Sequence, residues 1–243
     1  MFHPNGPTFF ELTEQALSST QHGYDLLAPK FDRTPFRTPQ SILDAVTDYL
    51  RPLAPFGAAL DLCCGTGAGM AALRPLCRER VVGIDFSRGM LEVCRRNLVA
   101  TPGEADLAFV RGDARDLPFG PEFDLVTCFG ALGHIARRDE RRFVAEAARV
   151  LRPGGRFVVV TTYRPPWWTP RAWLAELFNV AMSMRNGLVA PPFVMYYLTF
   201  LLPGVRRLLE EQGLAVEEYP LALRGAPPEW RLVVATRRAI SLT

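Results

Sequence analysis

Three aspartates stand at the ends of short apolar runs: Asp61 in ALDLCCGTGAGM (59–70), Asp85 in VVGIDFS (81–87) and Asp113 in VRGDARDLPF (110–119). Carboxylates there can accept hydrogen bonds and offset positive charge. After Asp61 come Gly65, Gly67 and Gly69 at every second position. A glycine-rich turn between a strand and a helix lets bare backbone approach a ligand, with amide hydrogens and the helix N-terminus facing it. Taken alone, that turn fits a nucleotide cradle, a redox or metal site, or a tight turn that binds nothing. Asp85 narrows the choice, because a carboxylate at the end of the next strand could accept both hydroxyls of a ribose. With Asp113, three successive strands would bring carboxylates to the carboxyl edge, where open parallel sheets bind ligands.

The elements that must position these acids alternate along the chain. Apolar runs at 58–62, 81–84, 107–110, 123–129 and 156–161 predict strands. Helical patterns over 68–77, 87–98 and 139–151 fall around them, Ser87 being a natural N-cap. The RPGGR turn at 152–156 is expected to stop the last helix and launch a strand. Such alternation predicts a parallel sheet covered by helices. Residues 9–50 read as mostly helical. Two closing runs, 214–223 and 231–236, read as an antiparallel pair joined by the GAPPE turn.

At 243 residues, 49% hydrophobic and 22% charged, the chain suits one α/β domain with a modest insertion. Its net charge of +3 is spread, with Lys30 the single lysine and arginines interleaved with acids in RRDERR (137–142), so no nucleic-acid footprint is expected. Five cysteines without CxxC spacing and three histidines argue against a zinc site or disulfide framework and for reduced thiols in the cytoplasm. Cys63 and Cys64, being adjacent, should point different ways and act as small apolar filler. The N-terminus lacks the pattern of a signal peptide. LVAPPFVMYYLTFLL (188–202) is too short to span a membrane and predicts a buried or pocket-lining element.

The ordered set DLCCGTGAG, GIDFSRGML, GDARDLPF, FDLVTCFGALGHI and RVLRPGGRFVVV resembles the class I S-adenosylmethionine-dependent methyltransferases. It is most similar to the branch of the ubiquinone and menaquinone C-methyltransferases and many natural-product enzymes. The resemblance covers 58–162 and implies S-adenosyl-L-methionine as cofactor. It implies that Asp61, Gly65 and Gly67 surround the methionine part, Asp85 holds the ribose, Phe86 and Met90 pack on the adenine, and Asp113 with the Ala114 amide reads its edge. Cys128 and Phe129 would lie beside the sulfonium. Cys63 departs from the family pattern, replacing the first glycine of DxGxGxG. The segment QHGYDLLAPKFD (21–32) is similar to the N-terminal cap of these enzymes, so Tyr24 is expected in a lid over the cofactor.

The expected fold is a Rossmann-like, seven-stranded, mostly parallel sheet with helices on both faces. It divides into a helical cap (1–52), a cofactor-binding core (53–163), a helical substrate cover (164–212) and strands that complete the sheet (213–243). Methyl transfer from a sulfonium is an in-line displacement, so a base is needed only when the acceptor must lose a proton. His134, just past the fourth strand, is the candidate base, and Tyr163, after the fifth, a candidate substrate contact. The cover is rich in aromatic residues and Met, many of them core, and this favours a hydrophobic or aromatic small-molecule acceptor over nucleic acid. Stable membrane insertion is not expected, though contact with a lipid-like acceptor is compatible with the cover. Transfer to tRNA or protein, cofactor binding without turnover, and a dinucleotide oxidoreductase are the rival readings. The sequence leaves the oligomeric state open.

Overall fold

The computed structural model describes residues 4–221 and 229–239. Helices α1 (Phe9–Leu17), α2 (Thr20–Leu27) and α3 (Gln40–Leu50) come first, with a 3-10 turn over Ala28–Arg33. The alternating region follows as β1 (Phe56–Leu62), α4 (Ala68–Leu73), β2 (Cys77–Asp85), α5 (Arg88–Asn97), β3 (Asp106–Arg111), β4 (Phe123–Cys128), α6 (Glu140–Arg149) and β5 (Leu151–Thr162). Helices α7 (Pro170–Leu188) and α8 (Gly204–Glu211) precede β6 (Leu214–Pro220) and β7 (Trp230–Arg237).

The seven strands form one sheet in the order β3-β2-β1-β4-β5-β7-β6. Every pairing is parallel except those of β7 with β5 and β6. Winding reverses at β1, whose neighbours are β2 on one side and β4 on the other, so the ligand crevice belongs at the carboxyl ends of β1 and β4. Side chains alternate between two buried cores, as strand geometry requires. Leu60, Val126 and Phe157 pack on one face against Phe143 and Val144 of α6 and Leu209 of α8. Ala59, Leu125 and Val158 pack on the other against Val46 of α3, Leu73 of α4 and Leu91 of α5. The adjacent cysteines obey the same rule, Cys63 lying on the first face and Cys64 on the second.

Boundaries moved where proline intervenes. The helix expected over 68–77 stops at Leu73, because Pro75 draws the chain into a 3-10 turn and β2 has begun by Cys77. Helix α6 ends at Arg149, before RPGGR, and β5 already starts at Leu151; the turn is a local irregularity within the strand, with Gly154 at φ +81°. Most of the GAPPE turn lies outside the described residues.

The segment between β5 and β6 is half helix and half extended chain. After α7, residues 189–203 run without regular structure, with Phe193, Phe200 and Leu202 buried. The aromatic and Met residues, many of them expected to be core, divide between interior and surface. Trp167 and Trp168, just before α7, are 73% and 68% exposed, and on α7 itself Trp173 and Met184 are 64% and 62% exposed, with Leu177 and Leu188 on the same outer face. Among the described residues no helix is long and apolar enough to cross a membrane.

Candidate active site

A cavity of about 580 Å³ opens at the carboxyl ends of β1 and β4, within the range of small-molecule sites. Its floor is sheet edge and turn: Asp61, Cys63, Gly65, Gly69, Asp85 and Cys128 all line it. Its walls come from the N-terminal helices and from residues 195–201.

Asp61 is 1% exposed and accepts a hydrogen bond from Thr127 Oγ1 at 2.9 Å. Burial raises its carboxyl to about 7, against the opposing Thr127 bond and aided by the charge of Asp85. Asp85 accepts from the Gly65 amide with Oδ2 and from the Ser87 amide with Oδ1, both at 2.9 Å. Burial lifts it to about 6, the two amides pulling the other way. Each carboxylate oxygen offers about two acceptor positions, so the carboxylate keeps capacity for a ribose hydroxyl.

The glycines have different duties. Gly65, at φ +53°, has open space where a side chain would begin. Gly67, at φ +94°, faces away from the cavity; a Cβ there would lie 2.7 Å from Cys94 Sγ, so this glycine serves the packing of α4 on α5. Gly69, not singled out from the sequence as a site residue, lines the cavity where a Cβ would collide with Asp61 Oδ2 and the Phe129 ring. Cys63 occupies the left-handed region at φ +53°, which explains why a glycine suits its position in the family pattern. Its thiol is held well above the usual range by a hydrogen bond with Cys128 and by burial.

Phe86, Met90, Cys128 and Phe129 line the cavity as expected from the resemblance. Asp113 and Ala114 do not. The Asp113 carboxylate is taken by Arg115, two residues on, at 2.6 to 3.1 Å, and Arg115 is braced in turn on Asp139. Ala114 is buried in the core. Tyr163 also turns away: its hydroxyl donates to Glu218 of β6 at 2.7 Å and the Arg231 guanidinium lies over its ring.

Three acids tie the N-terminal helices to one another and to the core, one of them directly to the glycine turn. Asp25 accepts from Ser87 Oγ and the Gly89 amide, anchoring α2 at the start of α5. Asp32 accepts from Thr66 Oγ1 at 2.6 Å and from Asn97 Nδ2 at 3.0 Å. Lys30 reaches back to Glu11, holding α1 to the 3-10 turn. This brings Tyr24 to the cavity wall, stacked on Phe193 with ring centroids 6.2 Å apart.

Tyr24 meets His134 there, Oη to Nε2 at 2.7 Å, while His134 Nδ1 lies 2.7 Å from the Val194 carbonyl. A carbonyl only accepts, so Nδ1 carries the hydrogen, and in the neutral ring Nε2 accepts from the tyrosine. Burial lowers the His134 pKa, with the Val194 bond opposing, so the neutral ring prevails near pH 7. Of the aromatic and Met residues of the cover, only Met195, Tyr196 and Tyr197 line the cavity.

The arrangement fits S-adenosyl-L-methionine by its donor and acceptor chemistry. Buried acceptors face a cationic, diol-bearing ligand, and backbone made bare by Gly65 and Gly69 gives it room. Comparison with known proteins agrees. Residues 59–155 match the profile of a methyltransferase domain family. A demethylmenaquinone methyltransferase of Bacillus licheniformis is 33% identical over 178 residues, 68% of this chain and 74% of that protein. Another, of Clavibacter sepedonicus, is 38% identical over 152 residues, and the match covers 58% of its length. In fold, an O-methyltransferase family protein from Burkholderia thailandensis superposes with a TM-score of 0.70 at 20% identity, covering 96% of this chain and 69% of that one. Magnesium protoporphyrin IX methyltransferase from Synechocystis, solved with bound SAH, gives 0.58 at 19% identity, with 82% of each chain covered. The chain belongs to the class I S-adenosylmethionine-dependent methyltransferases, in the branch of the demethylmenaquinone methyltransferases.

Proposed function

We propose that this protein transfers a methyl group from S-adenosyl-L-methionine to a hydroxylated, hydrophobic aromatic small molecule of the quinol class. The observation that carries this reading is the two-part cavity: buried acids at the strand ends, and an apolar wall built by Phe36, Ile42, Met195, Tyr196 and Leu198. Two relatives carry the name demethylmenaquinone methyltransferase, which supports an acceptor of the quinol class, and the aromatic wall suits such a molecule. On this reading 1–52 serves as cap, 53–163 as cofactor core and 164–212 as substrate cover, and 213–243 carries the last two strands, β6 and β7. The free thiols suit a cytosolic setting.

Bound cofactor supplies an electrophilic methyl group on a sulfonium, which needs no activation beyond alignment with the acceptor. Asp85 would hold a ribose hydroxyl with its remaining acceptor capacity. Asp61 and the turn at Gly65 and Gly69 would take the methionine end, Phe86 and Met90 the adenine, and Phe129 the region of the sulfonium. Tyr196, Tyr197 and Met195 exclude water and orient the acceptor, which accounts for much of the rate in an in-line displacement.

The test is methyl transfer from labelled S-adenosyl-L-methionine to a panel: a reduced 1,4-naphthoquinone with an isoprenoid tail, simple phenols, bulk tRNA and a denatured protein mixture. Label in the naphthoquinol is expected. Label confined to tRNA or protein would overturn the reading.

A further inference from the structure

Both ring nitrogens of His134 are engaged, Nδ1 by the Val194 carbonyl and Nε2 by the Tyr24 hydroxyl. The imidazole therefore offers the cavity only carbon. Tyr24 is in the opposite position: its single hydrogen is spent on His134, and its oxygen keeps acceptor capacity at the cavity wall. A hydroxyl on a bound acceptor meets the tyrosine oxygen first, with the imidazole one bond behind it.

Resting on the function proposed above, we infer that Tyr24 and His134 form a proton relay in which Tyr24 touches the acceptor and His134 stores the proton. The acceptor O–H gives its proton to Tyr24 Oη as the Tyr24 proton passes to His134 Nε2. The electron pair left on the acceptor, on oxygen or delocalised onto a ring carbon, forms the bond to the methyl carbon. The carbon–sulfur bond breaks with its pair remaining on sulfur. His134 ends as an imidazolium with Nδ1 still donating to Val194, and returns its proton through Tyr24 to water when product leaves. If the ring carbon was attacked, its own hydrogen leaves to water as a proton while the acceptor oxygen takes back the proton held on His134 through Tyr24, so that the aromatic ring and the hydroxyl are both restored and one proton is released in all.

The surroundings suit transfer in that direction. Burial, aided by the nearby Asp85 carboxylate, keeps the Tyr24 phenol protonated well above its ordinary range. A free tyrosinate is therefore excluded, and the phenol can take a proton only by giving one up. The stack on Phe193 and the edge contact with Phe31 fix the ring in place. The relay selects acceptors whose nucleophile carries an acidic proton, such as quinols, phenols or enols.

Tyr24→Phe keeps the ring and removes the hydroxyl; His134→Gln keeps an acceptor for Tyr24 but cannot store a proton. Each is expected to lower kcat on the naphthoquinol by about a hundredfold or more, the lower range of general-base effects. Binding of S-adenosylhomocysteine, measured by calorimetry, should stay within about threefold of the parent. The double variant should lose no more than either single one, since the two act as a unit. A His134→Gln variant with near-parental kcat would reduce His134 to a positioning residue and overturn the relay, as would multiplying losses in the double variant. Nitrogen-15 NMR of histidine-labelled protein gives a readout independent of turnover. The relay requires hydrogen on Nδ1 and a shift at Nε2 in Tyr24→Phe; hydrogen on Nε2 overturns it. Should the parent not methylate the naphthoquinol, the acceptor assignment falls, and the NMR result still decides the relay.

Discussion

The two halves of the cavity are built in opposite ways. The cofactor half is local: Asp61, Gly65 and Asp85 sit on two neighbouring strands and the turn after the first, fixed by backbone amides and a hydroxyl of the sheet edge, and Gly69 follows at the start of α4. The acceptor half is assembled from afar: Tyr24 comes from α2, His134 from the turn after β4 and Val194 from the irregular chain after α7. A site of the first kind tolerates change elsewhere in the chain. One of the second kind depends on three segments arriving together.

If that contrast is right, disturbing Phe193 should have the largest effect on stability while sparing the cofactor half. It is 3% exposed and stacks on Tyr24, so Phe193→Ala is expected to cost about 3 kcal/mol. The melting temperature should then fall by roughly 6 to 12 °C, with turnover reduced more than cofactor affinity, as seen by calorimetry and initial rates.

Next in size, Asp85→Ala should weaken cofactor binding about a hundredfold in titration calorimetry, since hydrogen bonds to a charged group are each worth about 1.5 to 3 kcal/mol. Acceptor KM should change far less. A comparable rise in both would break the distinction between the halves.

The buried acids also predict a pH dependence. Asp61 and Asp85 have folded values near 7 and near 6, raised from 3.8 by burial. In that window the folded chain holds more protons than the unfolded one, so stability is lost as pH rises. Their contribution is fully present below the unfolded value, declines above it and is gone once pH passes the folded values. Thermal melts of the ligand-free protein should therefore show decreasing stability from pH 4 to above 7, with a smaller decrease in Asp61→Asn. Added S-adenosyl-L-methionine, a cation, should stabilise more strongly at the upper end.

The smallest effect sharpens the comparison by subtraction. Asp113→Ala should change cofactor affinity by less than about threefold, because its carboxylate is occupied by Arg115 outside the cavity. A tenfold loss would return Asp113 to the site.

Legibility follows the same division. Asp61 and Asp85 could be read because strand ends impose a location on the side chain, and the periodicity of the apolar runs gives those ends. Asp113 obeyed the same rule but was captured by an arginine two residues away, and a strand-end position says nothing of which neighbour wins. Gly69 could have been found as the third glycine of the turn; only the packing of Asp61 and Phe129 shows that its missing side chain matters more to the cavity than that of Gly67. Tyr163 looked suitable at the end of β5, yet β6 and β7 offered Glu218 and Arg231, elements whose placement depends on the antiparallel return. Tyr24 and His134 were each recognisable as candidates. Their bond joins residues 110 positions apart and no local pattern encodes it. The exposure of Trp167, Trp168 and Trp173 could not be read for a related reason: hydrophobicity marks a residue for burial only when something is present to bury it.

The hydrogen bond from His134 to Val194 has a consequence for how the cover opens. Val194 belongs to the chain that walls the cavity, so any movement of that wall to admit an acceptor must stretch this bond or drag the histidine along. Once the carbonyl departs, nothing keeps hydrogen on Nδ1, and the ring is free to exchange tautomers or meet water. In the proposed relay the bond would act as an interlock, arming the proton-taking pair only while the door is shut.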